Sequence, residues 1–464
     1  MTENVTYWAI AVFLVTYAVI VSDKIHRTVA AFAGAALLMV SGTLSPDDAV
    51  HYIDFNTIGL LIGMMVIVSI TRQTGIFEYV AIRASKMAGG EPLRVMASLA
   101  LLTAVFSALL DNVTTVLLIV PVTLAITRKL MVNPVPFLIA EILASNIGGT
   151  ATLIGDPPNI MIGGATHLGF LDFLINLTPI VVVIYPLTLY ILLRFYGNQL
   201  GTTPELQQKI MEMDERKEIK DPVLLKKAAA VMALTVFGFV IHQVVHLESS
   251  VIALAGAALL LAISRFDPEH AFHGVEWPVI FFFVGLFIVV GGLEKTGVIE
   301  SIAVFALETT QGALLPAGMF ILWLSAIASS FVDNIPFVAT MIPLIKEMGR
   351  LGSIENIDFL WWSLSLGACL GGNGTIIGAS ANLVAAGMAE RSGVHISFIG
   401  FFKIGFPLML LSIIVAMVYL LAWYAYNPAV VRVIALIIGA CLALLIARLN
   451  NRYKNQIARK DPAV

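Results

Sequence analysis

Shifting the numbering by 222 residues lays the second half of this chain on its first. Gly34 falls on Gly256, Pro46 on Pro268, His51 on His273 and Gly63 on Gly285. Thr74-Gly75 meets Thr296-Gly297 and Glu78 meets Glu300, while Ser107, Asp111-Asn112 and Pro121 meet Ser329, Asp333-Asn334 and Pro343. One further residue of shift brings Gly148-Gly149, Gly155 and Asn159 onto Gly371-Gly372, Gly378 and Asn382. Chance does not hold a register from Gly34 to Asn159, so the chain is an internal duplication. Whatever it folds into must be built from one unit used twice.

That unit belongs in a bilayer. Of the 464 residues 59% are hydrophobic and 12% charged, about half the roughly 25% charge of ordinary soluble domains. A water-soluble enzyme of this size would lack a charged surface. Apolar runs of ~20 residues, long enough to cross a membrane as helix, fall near 5–22, 28–44 and 55–72. A longer run at 95–127 is interrupted by Asp111-Asn112, and the next, 137–163, is broken by Gly-Gly and Asp-Pro-Pro. A last crossing follows at 173–194. These make a first repeat of 1–196 and a second of 228–426, with its own hairpin at 317–347 and broken helix at 360–388. Residues 197–227, with the cluster MDERKEIK, read as a solvated linker, and 427–464 as an extra helix with a basic tail.

An interrupted segment counts as no crossing if it is a re-entrant hairpin and as two if it spans. Either way each repeat crosses an odd number of times, so the second is inverted relative to the first, a hallmark of secondary transporters. The expected fold is an all-α polytopic membrane protein of about 11 crossings. Cations gather on one side: Lys24, Arg27, Arg72, Arg83, Lys86, Arg94, Arg128 and Lys129, the group from Arg194 to Lys227, Arg265, Arg391, and Arg448 to Lys460. The other side carries Lys295, Lys346 and Arg350. By the positive-inside rule the rich side is cytoplasmic. That puts the N-terminus outside and the C-terminus in the cytoplasm of a bacterial-type inner membrane. The opening MTENVTYWAI lacks a basic n-region and is read as a retained helix.

A charge at membrane depth is costly and usually faces protein or a water-filled cavity. Asp111-Asn112 and Asp333-Asn334 would sit at the tips of the two hairpins, where amides of the second arm can also face a ligand. The segments ASNIGGTATLIGDPPNIMIGG and GACLGGNGTIIGASANLVAAG hold too much Gly and Pro to continue one helix. Their unpaired backbone is tolerable in a membrane only where it lines a cavity. Tip plus break, twice, predicts two symmetry-related sites of oxygen ligands suited to a hard cation or a proton. Asp156 lies in the first break opposite Ala379, leaving proton binding and helix capping both open. Glu141 also lacks an acidic mate, with a pairing to Lys129 or an interfacial place as open as a functional role.

His51 and His273 read as interface packing, and Trp277, Trp361 and Trp362 as interfacial anchors. Cys369 and Cys441 read as buried thiols. The stretch GGLEKTG is no P-loop, since Glu294 stands where the motif needs Gly. No nucleotide fingerprint, nucleophile–base set or metal-ligand cluster argues for an enzyme, and the balanced net charge of −3 gives no reason to expect nucleic acid. Residues Gly75–Ala88 have the pattern of a helix lying along the membrane interface or of a packed loop helix, and Gly297–Thr309 stand at the mirrored position, which favours a shared mechanical part.

With these motifs in hand, DNVTTVLLIVPVT, NIGGTATLIGDPPN, SSFVDNIPFVATMIP and LGACLGGNGTIIGASAN resemble the ion transporter superfamily. The nearest group is the ArsB/NhaD permeases with their citrate-transporter-like domain, above all bacterial relatives of the melanosomal P protein. The similarity runs from about Val21 to Tyr424. It implies a homodimer in membrane lipid whose first crossings form a scaffold, while hairpins, broken helices and last crossings move as an elevator. It carries sodium sites onto Ser107, Asp111, Asn112 and the loop Gly148, Gly149, Thr150, with a mirror site at Ser329, Asp333, Asn334 and Gly371, Gly372, Asn373. Asp156, Asn159 and Asn382 in the breaks complete the candidate set. No cofactor is implied beyond Na+ or H+ as coupling ion, and the substrate is a small inorganic ion. A cytoplasmic partner on the linker is left open.

Related divalent-anion symporters place a neutral Ser-Asn-Thr at each tip, and an Asp there repels an anion. The Ile-Gly-Asp at 154–156 is closer to the sodium/proton antiporters. Cation/proton exchange is therefore the leading expectation, with proton-coupled metalloid efflux, an anion pathway and a passive channel as alternatives.

Overall fold

The computed structural model describes residues 3–22, 24–197, 199–352 and 357–460. The side chains of Arg448 to Lys460 and all of residues 461–464 lie outside the described set. The first repeat comprises α1 (Glu3–Ser22), α2 (Arg27–Val40), α3 (Pro46–Tyr52), α4 (Phe55–Arg72) and α5 (Ile76–Met87), then α6 (Pro92–Leu109) and α7 (Asn112–Leu130), α8 (Val135–Gly149) and α9 (Pro157–Ala165), and α10 (Phe170–Tyr196). The linker holds α11 (Pro204–Met211) and a 3-10 turn at Glu215–Glu218.

The second repeat runs in the same order: α12 (Pro222–Ile241), α13 (Ser249–Ser264), α14 (Pro268–His273), α15 (Trp277–Lys295), α16 (Val298–Thr310), the pair α17 (Leu314–Phe331) and α18 (Asn334–Gly352), the pair α19 (Asp358–Gly371) and α20 (Ser380–Arg391), and α21 (Phe398–Ala425). A final helix, α22 (Pro428–Lys460), lies along α10. The described residues contain no strand. Among the described residues ten helices are long and apolar enough to cross a membrane. The fold is an all-α polytopic membrane protein of two inverted repeats, each with a hairpin and a broken helix.

Local chemistry sets where helices begin. Ser45 and Asp48 form a capping box ahead of α3, Asp54 accepts from the amides of Asn56 and Thr57, and Glu91-Pro92 and Asp221-Pro222 open α6 and α12. These acceptors satisfy amides that have no partner within the helix. Gly75 and Gly297 adopt left-handed backbone at φ 78° and 76°, turning the chain from α4 into α5 and from α15 into α16.

The repeats exchange partners. Helix α2 packs along α15, and its equivalent α13 packs along α4. Gly285 approaches the backbone of Ala31, as Gly63 approaches that of Ala253, so a Cβ at either glycine would lie under 3 Å from backbone atoms. These helices, with α1 and α12, form one layer, the one that the resemblance expects to act as scaffold. In the other, α6 lies along α8 and α17 along α19, while α7 meets α20 and α18 meets α9. Each hairpin thus packs a second arm against the other repeat's half-helix.

Helices α8 and α19 sit deepest, with nearly every residue buried. That enclosure corrects one expectation: Trp361 and Trp362 are buried, Trp362 edge-on to Phe173 at 5.2 Å, while Trp277 is 41% exposed. Cys369 is buried, but Cys441 on α22 is exposed.

One face collects the linker. Thr202 donates to the Leu130 carbonyl and Lys227 to that of Ile263, while Glu215 takes Arg83 at 2.9 Å and Lys86 at 2.6 Å from α5. This basic face is where α2 and α15 begin and where α4, α7 and α13 end.

Candidate functional site

Each hairpin turns on its Asp-Asn. Asp111 caps α7, accepting from the Thr114 amide at 2.8 Å and from the Thr114 hydroxyl. Asn112, the first residue of α7, is therefore aimed inward from the tip. Its Nδ2 donates to Asn146 Oδ1 at 3.2 Å and to Asp156 Oδ1 at 3.1 Å. From the opposite hairpin Asn334 Nδ2 donates to the same Asp156 oxygen at 3.2 Å. Asn146 Nδ2 then reaches across the repeats to Asn373 Oδ1 at 3.0 Å and Asn382 Oδ1 at 2.9 Å. The side chains of both tips and both breaks thus form one continuous polar network.

The other candidate residues build the frame around it. Ser107 donates to the Ser145 carbonyl at 2.6 Å and Ser329 to that of Ala368 at 2.7 Å, tying each first hairpin arm to its broken helix. Gly148 lets α8 approach α6 so closely that a Cβ there would lie 2.2 Å from the Ala104 carbonyl oxygen; Gly371 faces Ala326 in the same way at 2.7 Å. Gly149 meets Gly155 across the first break, as Gly372 meets Gly378 across the second. Thr150 bonds back to the Asn146 carbonyl at 2.7 Å.

Asn159 donates to the Thr150 and Thr152 carbonyls at 3.2 and 2.9 Å, and Asn382 to those of Gly372 and Thr375 at 2.7 and 2.9 Å. Buried carbonyls need such partners, and these two amides knit the breaks shut. Asp333 stands apart from the network. It accepts from the Ile335 amide at 3.0 Å, from Ser380 at 2.5 Å and from Arg27 at 3.0 Å.

Asp156 occupies the position before α9, yet its side chain makes no capping bond. It is fully buried, and among the described residues it forms no ion pair; its Oδ2 and the Oδ1 of Asn112 make no hydrogen bond of ordinary geometry there, and the Cys369 thiol lies close enough to interact with the carboxylate. Burying a carboxylate without an ion pair is costly, and a proton or a bound cation would cancel its charge. Glu141, equally buried, bonds Thr123 rather than Lys129.

Sequence reading passes over Asn146, the hub, and Arg27, Ser365 and Ser380. Ser365 donates to Asn159 Oδ1 at 2.6 Å. The position of Asn146 within the segment ASNIGG is the available signal, but its repeat mate is Cys369.

Two cavities of about 310 Å³ lie between the scaffold helices and the second hairpin arms. One, toward the basic face, is lined by Arg72, Thr114, His270, His273 and Glu276. The other is lined by His51, Asp54, Glu294, Ala339 and Lys346. Their linings are largely repeat-equivalent, His273 with His51 and Glu276 with Asp54. The two histidines expected to pack at an interface thus line cavities.

This architecture resembles the YdaH transporter of Alcanivorax borkumensis, with a TM-score of 0.57 over 91% of this chain and 98% of that one, at 13% identity. An uncharacterized transporter of Mycobacterium tuberculosis is 44% identical over 423 residues, covering 90% of this chain and 98% of the relative. The human P protein is 34% identical over 496 residues, and 59% of its length is covered. The family model for citrate transporters, CitMHS, matches residues 17–367. With its duplicated hairpins and broken helices and that match across most of its length, the chain is a membrane transporter belonging to the CitMHS citrate transporter family.

Proposed function

We infer that this transporter exchanges a small monovalent cation, sodium or lithium, for protons, with Asp156 as the shared site and the hairpin layer moving against the scaffold. One observation carries the reading: a buried, unpaired carboxylate receives an amide from each hairpin tip and keeps one oxygen open. Asp156 Oδ2 and Asn112 Oδ1 are hard oxygen ligands for such a cation. A proton on the same carboxylate neutralises it equally, so the two occupants compete. Carrying the bare carboxylate through the membrane would be costly, which favours exchange over movement of an empty site. Citrate, the substrate in the family's description, fits poorly, because the tips carry Asp111 and Asp333 and the cation at the tips, Arg27, is already paired.

The test uses proteoliposomes with an acidic lumen and a trapped pH dye. Sodium or lithium added outside should alkalinise the lumen, and Asp156→Asn should reduce the response to that of empty liposomes. A response to arsenite alone would move the protein to metalloid efflux, and one to citrate alone to anion transport. A wild-type rate in Asp156→Asn would overturn the assignment.

A further inference from the structure

Arg27 opens α2 in the scaffold, yet its guanidinium grips the other layer. Nη1 lies 3.0 Å from Asp333 Oδ2 at the second tip and also donates to Ser380 Oγ, the first residue of α20. Ser380 donates in turn to that same Asp333 oxygen. The Phe282 ring on α15, 5.1 Å from Cζ, backs the guanidinium. The pair is largely shielded, with Asp333 at 8% and Arg27 at 22% side-chain exposure. The residue after Asp333 is Asn334, which donates to Asp156, so the ion site and this contact act on one hairpin turn.

The duplication does not repeat this contact. The 222 shift places Ser249 opposite Arg27, and Ser380 corresponds to Pro157. At the first tip Asp111 has Thr114 as hydrogen-bond partner, with Glu276, at the start of α15, within electrostatic range. Both tips therefore stand level with helix ends at the basic face. Inverted repeats imply the opposite state, in which the repeats exchange roles. There Asp111 would come to Ser249, and Asp333 to Asp54, the equivalent of Glu276. Neither partner is a cation, so the Arg27–Asp333 pair belongs to one state only.

We propose that Arg27 is a coupling latch, a tethered cation that holds the second tip at the basic face in one of the transporter's two states. It is a positioning residue, and the proposal rests on the exchange reading above. Removing it shifts the two-state equilibrium by about tenfold or more.

The test is pulsed electron paramagnetic resonance on the full chain in nanodiscs, in choline buffer, with spin labels on Val40→Cys and Phe320→Cys in a Cys441→Ala background. Both sites are exposed, one on α2 and one on α17. The parent should show one main distance. Arg27→Gln should add a second population, and Arg27→Lys, which keeps the charge but not the fork, should fall between. An unchanged single distance in Arg27→Gln overturns the proposal. If that variant does not fold, Asp333→Asn carries the same prediction. Absence of sodium/proton exchange in the wild-type protein would defeat the exchange reading, while the distances still decide whether the latch exists.

Discussion

Gly148 and Gly387 are both helix glycines, and a single added methyl should separate them. At Gly148 a Cβ would meet the Ala104 carbonyl at 2.2 Å, whereas nothing lies within 4 Å of one at Gly387. Gly148→Ala should push α8 off α6 and cost about 1–3 kcal/mol through overpacking. Gly387→Ala should be neutral or slightly stabilising. Thermal unfolding in detergent compares them, and equal melting points would contradict the close approach of α8 and α6. At this scale the sequence speaks through polarity in apolar surroundings. That signal reaches Asp111-Asn112, Asp333-Asn334 and Asp156. It cannot tell which member of each Asp-Asn pair turns inward, because that depends on Asp111 capping α7 while Asp333 turns to Arg27. Asn146 escapes because its mate is a cysteine, and Arg27 because a cation near a helix end reads as a loop residue.

Among elements, the linker does more than connect the repeats. Glu215 sits between Lys86 and Arg83, the Lys220 amide donates to the Thr74 carbonyl, and Lys86 also donates to the Met213 carbonyl. The linker is therefore clasped to α5, the joint between scaffold and first hairpin. Helix α16, at the mirrored position, carries instead a contact from Glu300 to Arg350. Lys86 foremost, then backbone hydrogen bonding and Arg83, hold the Glu215 carboxyl down at about 2. A depressed carboxylate contributes its stabilisation above its unfolded value of ~4.3 and loses it as pH falls toward the folded one. The clasp should thus be intact at neutral pH and loosen between about 4 and 2. Hydrogen exchange over residues 199–221 reads this. Glu215→Gln should speed exchange there about tenfold at pH 7, and an unchanged rate would mean the clasp is not what orders the linker. The charges of this segment and the amphipathic pattern of α5 are both visible in the sequence. That they meet is not, since Glu215 and Arg83 are 132 positions apart.

For the whole molecule, the duplication makes the repeats and their inversion legible in the sequence alone. What it cannot reveal is that the repeats interleave, α2 with α15, α4 with α13, and each hairpin with the other repeat's half-helix. Interleaving is why the tips and breaks of both repeats meet in one network centred on Asn146 and Asp156, both from the first repeat. The second repeat contributes Asn334, Asn373 and Asn382 as partners. Substrate identity is least legible, because it depends on what finally balances the charge of one buried carboxylate.

The direct measurement is proton release from the purified, weakly buffered protein on adding sodium, with choline as the control. If Asp156 holds a proton or a cation but not both, sodium should release about one proton per chain in the wild type and none in Asp156→Asn. Equal release from both proteins, or none from either, would contradict the account.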